Sequence, residues 1–545
     1  MDIKKLVENM SVEELCGQVL SYDIQPNDTD EETLAVIEKI MPGSLFICGD
    51  EKQSIEELMP KFEKDKAFQK SATKSAKGIP CIMATDVEHG PGAFCKPLPE
   101  LPNPMAWGAC NDEKLIERAG ELTGRICRKL GIHYIFGPVV DLNINFRNPI
   151  TAVRSVSDDA DRVIRIAGAY IRGVQKNGYL AGCGKHFPGD GVDERNQHFM
   201  TTVNSLSKEE WFASYGKVYK ELFKQGLSSV MVGHICCPAF QPDEIDEYGA
   251  LPGTLSKQLI TDLLKGELGF DGCVISDAMS MIGACARVDL DKLAISFFKA
   301  GGDMMLFPEP EDHKRLVDAV HSGELSIERM RDAATRCLKM KEKVRLFEND
   351  KVEEEIGDIS ADIQELETLA QTIADNAVKI VRNNEGVLPI KKENGKVLLV
   401  KFGGHYFHKE PLNHAFAYIE KEFENQGWTV TSLFFAKHRQ LKEIMSDYDL
   451  VLIVCDSEIH GSTKRVGWDN IMALWRGYIL NHKNVVFVGT DDAYKLFDFP
   501  YAKTYINLFG KAPCLQRALV KLVLGKIESK GKNPVRFEGF FERED

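Results

Sequence analysis

Cys183-Gly184-Lys185-His186-Phe187-Pro188-Gly189-Asp190-Gly191 begins on the end of an apolar run, 180–184, and passes at once into a basic pair and a glycine-rich turn. Downstream, Val274-Ile275-Ser276-Asp277-Ala278-Met279-Ser280-Met281 repeats the pattern: the apolar run 272–276 stops on a carboxylate. Runs that are apolar without alternation are strands covered on both faces, as in parallel sheets wrapped by helices. Five further runs of this kind lie at 44–48, 79–85, 134–140, 228–233 and 303–307. Helical patterns at 112–130, 162–177, 208–225 and 256–268 lie between them, the last two opening after the capping residues Ser207 and Thr254. This alternation, at this length, predicts a (β/α) barrel.

A strongly helical stretch, 326–348, closes that block. Charged residues follow at 350–358, read as a linker or surface connection, and a helical pattern resumes over 361–382. A second alternation has strands at 397–402, 429–435, 450–456, 484–490 and 504–509, which predicts a separate α/β layer domain. The expected division is a barrel over 1–348, a linker over 349–375 and a second domain over 376–545. The end of the chain beyond 529 is polar and is expected to wrap the surface.

Composition narrows the function classes. The 545 residues are 43% hydrophobic and 28% charged, with a net charge of −14 and no basic run. Nucleic-acid and anionic-membrane partners need clustered positive charge, so neither is expected. No run approaches the ~18 apolar residues of a membrane span. The start of the chain has no apolar segment of signal-peptide length, and a cytoplasmic location is expected. The 14 cysteines are scattered without a C-x-x-C pair, which fits buried reduced thiols better than disulfides or a zinc site.

Barrel enzymes collect their chemistry at the carboxyl ends of strands. Those ends carry Asp86 and Glu88, Asp141 and Asn143, Lys185 and His186, His234, and Asp277. One polar residue at a strand end means little, but ionisable residues at five ends in a row point to a catalytic rim. Asp277 fits a carboxylate nucleophile, with a helix cap or ion-pair partner as the plainer alternative. His198, at the far end of a loop rich in glycine and charge, can deliver a proton over a substrate; a surface histidine is the plainer reading. That loop, 187–197, is expected to be mobile. Grouping His186, His198 and His234 as metal ligands lacks helical i, i+4 spacing, and no metal or other cofactor is expected.

The chain resembles glycoside hydrolase family 3, in particular its β-N-acetylglucosaminidase branch. The resemblance rests on Met10–Gln18, Phe136-Gly137-Pro138-Val139-Val140-Asp141, Arg147-Asn148-Pro149, Arg154-Ser155, Lys185–Gly189, Ile275-Ser276-Asp277, Val381-Arg382-Asn383-Asn384 and Leu388-Pro389-Ile390. It implies a (β/α)8 TIM-like barrel followed by an αβα sandwich. It also implies a retaining β-glycosidase that acts on terminal β-linked N-acetylhexosamine in a small glycoside or glycan fragment. Asp277 would form the glycosyl-enzyme, and His198 would serve as acid/base. Asp86, Arg154, Lys185, His186 and His234 would bind the sugar. The sequence departs from the branch twice. Asn196 stands where an aspartate normally precedes the catalytic histidine, and the segment after Asp86 lacks the branch's sugar-contacting arginine. Other readings are a β-glucosidase whose acid comes from the second domain, with Glu458 the candidate, and a catalytically impaired sugar-binding homologue. Phosphate in place of water as acceptor is a further variant of the same chemistry.

Overall fold

The computed structural model describes residues 2–24, 29–402, 416–434, 441, 443–456 and 482–545. They form two compact units. The first comprises Met1–Pro99, Glu113–Leu142 and Val163–Leu366; the second comprises Glu100–Asp112, Asn143–Arg162 and Glu367–Asp545. The barrel unit is therefore discontinuous in sequence, with two excursions of the chain belonging to the second unit.

Eight parallel strands build the first unit: β1 (Leu20–Asp23), β2 (Ser44–Phe46), β3 (Ile82–Thr85), β4 (Tyr134–Ile135), β5 (Ala181–Phe187), β6 (Ser229–Val232), β7 (Cys273–Ser276) and β8 (Met305–Leu306). They pair in the order β7-β6-β5-β4-β3-β2-β1-β8, and a parallel bridge between Ile275 and Met304 joins the two ends into a barrel. All residues of β3, β5, β6 and β7 are buried, as an apolar run without alternation requires. β1 has no such run. Its Ser21 is buried against Ser44 of β2 through a 2.9 Å hydroxyl pair, so its polar content hides it in the sequence.

Side chains complete the β7–β8 seam. The Ser276 hydroxyl accepts from the Leu306 amide at 2.9 Å. One oxygen of the buried Asp303 carboxylate accepts from the Val274 amide at 2.9 Å; the other meets Lys265 Nζ at 2.7 Å and Arg329 Nη2 at 2.5 Å.

Several expected helices are modified. The pattern at 208–225 forms two helices, Lys208–Ala213 and Tyr215–Lys224. The break falls at Ser214, whose hydroxyl donates to Glu210 O at 2.6 Å and competes with the helical ladder. Ser207 forms the expected cap, in a reciprocal box with Glu210. Thr254 does not cap; Ser256 Oγ accepts from the Leu259 amide, and the segment Gln258–Glu267 winds as a π-helix. The stretch expected as linker carries the helices Asn349–Ile356 and Ser360–Ala377. Val352 and Ile356, one turn apart, are buried, so the charged residues are the outer face of an amphipathic helix.

The sheet of the second unit holds β9 (Lys379–Asn383), β10 (Lys396–Phe402), β11 (Thr429–Phe434), β12 (Leu450–Cys455), β13 (Val485–Gly489) and β14 (Thr504–Asn507). Their order is β9-β14-β13-β12-β10-β11, parallel throughout except for β9. β9 occupies the end of the helical pattern expected over 361–382; the β-branched pair Ile380-Val381 favours the strand. The last residues do more than wrap the surface. Val535 and Phe537 are buried, and the Lys532 amide donates to Ala109 O at 2.9 Å within the same unit.

All fourteen cysteines are free thiols. Among the described residues no helix is long and apolar enough to cross a membrane.

Candidate active site

Asp277 directly follows β7. Its amide donates to Val232 O at the end of β6 (2.8 Å), and the Ala278 amide donates to its Oδ1 (2.8 Å). Burial alone would push its pKa up. His186, His234, the Ala278 amide and Lys185 outweigh that penalty and hold the carboxyl below the ordinary aspartate value. The result is a charged carboxylate on a fixed strand end, in the state a nucleophile needs.

His234 is fully buried beside it. Its Nε2 lies 2.9 Å from Ala278 O, which can only accept, so Nε2 carries the proton. Nδ1 then accepts from the Thr254 hydroxyl at 3.0 Å. Burial depresses the pKa of the ring, against the pull of Asp277 and the Ala278 carbonyl. Both ring nitrogens thus hold protein partners, and the imidazole grips the turn that carries Asp277.

Lys185 and His186 end β5. The buried Lys185 ammonium pairs with Asp86 Oδ1 at 3.0 Å and Glu88 Oε1 at 2.8 Å, both from the loop after β3. The His186 Nδ1 donates to Asp141 Oδ2 at 2.7 Å. Asp141 Oδ1 accepts from the amides of His186 (3.0 Å) and Asp190 (2.8 Å). Asp141 therefore fixes both the imidazole tautomer and the path of the following loop. Glu88 and Asp141 are rim residues to which the sequence gives no individual role, and Thr254 is a partner it does not place in the site. The first two were visible as strand-end carboxylates, whereas Thr254 reads as a helix cap.

The loop to His198 carries several hydrogen bonds. The Asn204 side-chain amide donates to Gly189 O (3.1 Å) and the Tyr215 hydroxyl donates to Asp190 O (2.5 Å). Asp193 accepts from Arg195 Nη2 (2.6 Å) and the Val203 amide (2.8 Å). Its carboxylate is thus committed within the loop, and Asn196 is the residue that meets His198. Asn196 Oδ1 accepts from the His198 amide (2.9 Å) and lies 2.7 Å from His198 Nδ1. The amide contact identifies that atom as the oxygen, so Nδ1 carries a proton and Nε2 is the basic nitrogen.

The same loop returns to the rim. A Cβ on Gly233 would lie 2.9 Å from Gln197 Oε1 and 3.1 Å from His186 Cβ, and one on Gly283 would lie 2.8 Å from His234 Cβ and 2.9 Å from Gln197 O. His198 thus follows a residue wedged among His186, His234 and the turn beyond Asp277. Asp277, Lys185, His186, His234, Asp86 and the Asn196–His198 pair all belong to the barrel unit. Arg154 ends a 3-10 turn, Ala152–Arg154, in the second unit. Glu458 lies outside the described residues.

Comparison with known proteins finds relatives over most of the chain. Residues 11–340 match the glycosyl hydrolase family 3 N terminal domain. A β-N-acetylglucosaminidase/β-glucosidase of Cellulomonas fimi is 31% identical over 488 residues, 86% of each chain. A solved β-glucoside phosphorylase is similar with a TM-score of 0.83 and 27% identity, over 98% of this chain and 95% of its own. A family 3 β-N-acetylglucosaminidase from a Paenibacillus species shares the fold at a TM-score of 0.81 and 21% identity, over 97% of this chain and 99% of its own. The chain belongs to glycoside hydrolase family 3 and is a glycosidase.

Proposed function

We propose that the enzyme is a retaining β-glycosidase that releases terminal β-linked N-acetylhexosamine, with Asp277 as nucleophile and His198 as acid/base. The observation that carries this reading is the Asn196 contact that holds His198 Nδ1 and leaves Nε2 to exchange a proton, on the same barrel rim as the buried Asp277 carboxylate. In the first step an Asp277 oxygen bonds to the anomeric carbon while protonated His198 gives its Nε2 proton to the leaving oxygen. In the second, neutral His198 takes a proton from water, which attacks the same carbon and releases Asp277. A histidine adds no second negative charge beside the nucleophile, which keeps Asp277 ionised. Lys185, His186 and Asp86 are placed to hold sugar hydroxyls, Arg154 is assigned the same task by resemblance, and His234 positions Asp277 through Ala278.

The test is turnover of aryl β-N-acetylglucosaminide and aryl β-glucoside side by side, with 2-fluoro-sugar trapping read by mass spectrometry. A glycosyl adduct on Asp277 and preference for the first substrate are expected. Preference for the glucoside would change the sugar assignment, and an adduct elsewhere would remove Asp277.

A second reading keeps the glycosyl-enzyme but uses inorganic phosphate as acceptor. It is favoured by the 27% identity to a β-glucoside phosphorylase and by Asn196, which lowers the negative charge that an anionic acceptor would meet. Formation of sugar 1-phosphate in phosphate buffer, rather than free sugar alone, decides between the acceptors.

A further inference from the structure

Five apolar side chains are exposed around the residues that follow His198 and Asp277. Phe199 (47% exposed) and Met200 belong to the loop after β5, Ile245 and Tyr248 (70% exposed) to the loop after β6, and Ile282 (52% exposed) to the loop after β7. Arg287 joins all three loops. Its guanidinium makes a two-pronged pair with Asp246 (2.6 and 3.0 Å), donates to Thr201 Oγ1 (2.9 Å) and lies 5.8 Å from the Tyr248 ring centre. Thr201 in turn donates to Gly283 O at 2.8 Å. The Arg287 side chain is itself nearly buried, so the junction is a fixed one.

Tyr248 sits at the tip of a short hairpin in which Ile245 pairs with Ala250 and Asp246 with Gly249. The hairpin is also anchored at its base. Glu244 accepts from the amides of Lys257 (2.8 Å) and Gln258 (3.2 Å) at the start of the π-helix. A hairpin tied at tip and base to hold an aromatic ring in solvent gains no core burial from that ring. It lies on a strand-to-helix loop of the barrel's catalytic face, where specificity is set. The face is continuous with the proposed acid/base through the peptide bond between His198 and Phe199. The exposed carboxylate of Glu247 hydrogen-bonds the Tyr248 side chain and so puts a polar group at the edge of the ring.

We propose that this face is the leaving-group subsite, and that its occupant is a second sugar ring stacked by its apolar C–H face on Tyr248 and Phe199. The assignment rests on His198 as acid/base, since the atom protonated there belongs to the leaving group. Rigid aromatic platforms beside polar groups suit pyranose rings, which present C–H bonds on one face and hydroxyls at the edge. A subsite that touches only the leaving group affects formation of the glycosyl-enzyme and not its breakdown. Its loss lowers kcat/KM for that leaving group and spares the deglycosylation step.

The experiment compares kcat/KM for a β-linked disaccharide, the methyl β-glycoside and the 4-nitrophenyl β-glycoside of the same sugar in wild type, Tyr248→Ala, Tyr248→Trp, Phe199→Ala and His198→Ala. Tyr248→Ala and Phe199→Ala should each lower the disaccharide value about tenfold. The methyl glycoside should stay within about twofold, and Tyr248→Trp should retain disaccharide turnover. Equal loss on disaccharide and methyl glycoside, loss on the nitrophenyl glycoside alone, or no loss at all overturns the proposal. So does a dimer that Tyr248→Ala turns into monomer with leaving-group preference unmoved, which would give the face to a second copy of the chain. Disaccharide turnover untouched by His198→Ala would remove the acid/base reading itself. Loss with His198→Ala and none with the platform variants removes the platform alone.

Discussion

The proposed nucleophile and the proposed acid/base are held in opposite ways. Asp277 ends a buried strand, its amide is in the barrel ladder, and surrounding groups fix its charge. His198 rides on a βα loop, half exposed, with its Nδ1 held by a neutral side chain, Asn196. The contrast suits the proposed tasks. A nucleophile must present one oxygen in one place with one charge, and a strand end supplies that. An acid/base must reach solvent to exchange its proton each cycle, and a hydrogen-bonded but open loop supplies that.

Breaking the rigid side should cost most. Asp277→Asn should lower kcat by about 10⁴-fold or more on an aryl glycoside, because the proposed bond-forming group is lost. His198→Ala should cost about 10²–10⁴-fold with poor leaving groups and much less with a dinitrophenyl leaving group, which departs without a proton. A plot of log(kcat/KM) against leaving-group pKa, steeper in the variant, checks this.

Lys185→Met tests the electrostatic half of the comparison. The Lys185 charge favours ionised Asp277, so its removal raises the carboxyl pKa. Activity that depends on the ionised form is then lost at a higher pH on the acidic side. A pH–rate profile reads the shift; an unmoved acid limb would mean that His186 and the Ala278 amide suffice. Asn196→Asp should have the smallest effect, about tenfold or less in kcat/KM, because the tautomer is already fixed. The added charge stabilises imidazolium, so activity should persist to higher pH on the alkaline side, where the wild-type acid loses its proton.

The rigid side was also the legible side. Lys185, His186, His234 and Asp277 stand out because a polar group abutting an apolar strand is visible in one dimension. The partners are less so: Glu88 and Asp141 could be seen but not matched to Lys185 and His186, since pairing between strands is a three-dimensional fact. Thr254 shows how a side chain with a good local use can be taken by a distant one. The contacts of the 187–197 loop were not legible because their partners, Asn204 and Tyr215, lie beyond it in sequence. The helix Asn349–Ile356 was read as linker because its buried stripe is only two residues, Val352 and Ile356, among charges.

Where Ser276 and Asp303 take the place of carbonyls along the last seam of the barrel, closure becomes observable at single amides. The Leu306 amide owes its protection from solvent to one hydroxyl, and the Val274 amide to one carboxylate. Ser276→Ala should speed hydrogen–deuterium exchange at Leu306 while leaving Val274 and the strands on the far side unchanged. The strand that leads to Asp277 thus carries, one residue before it, a built-in reporter of how often the barrel opens.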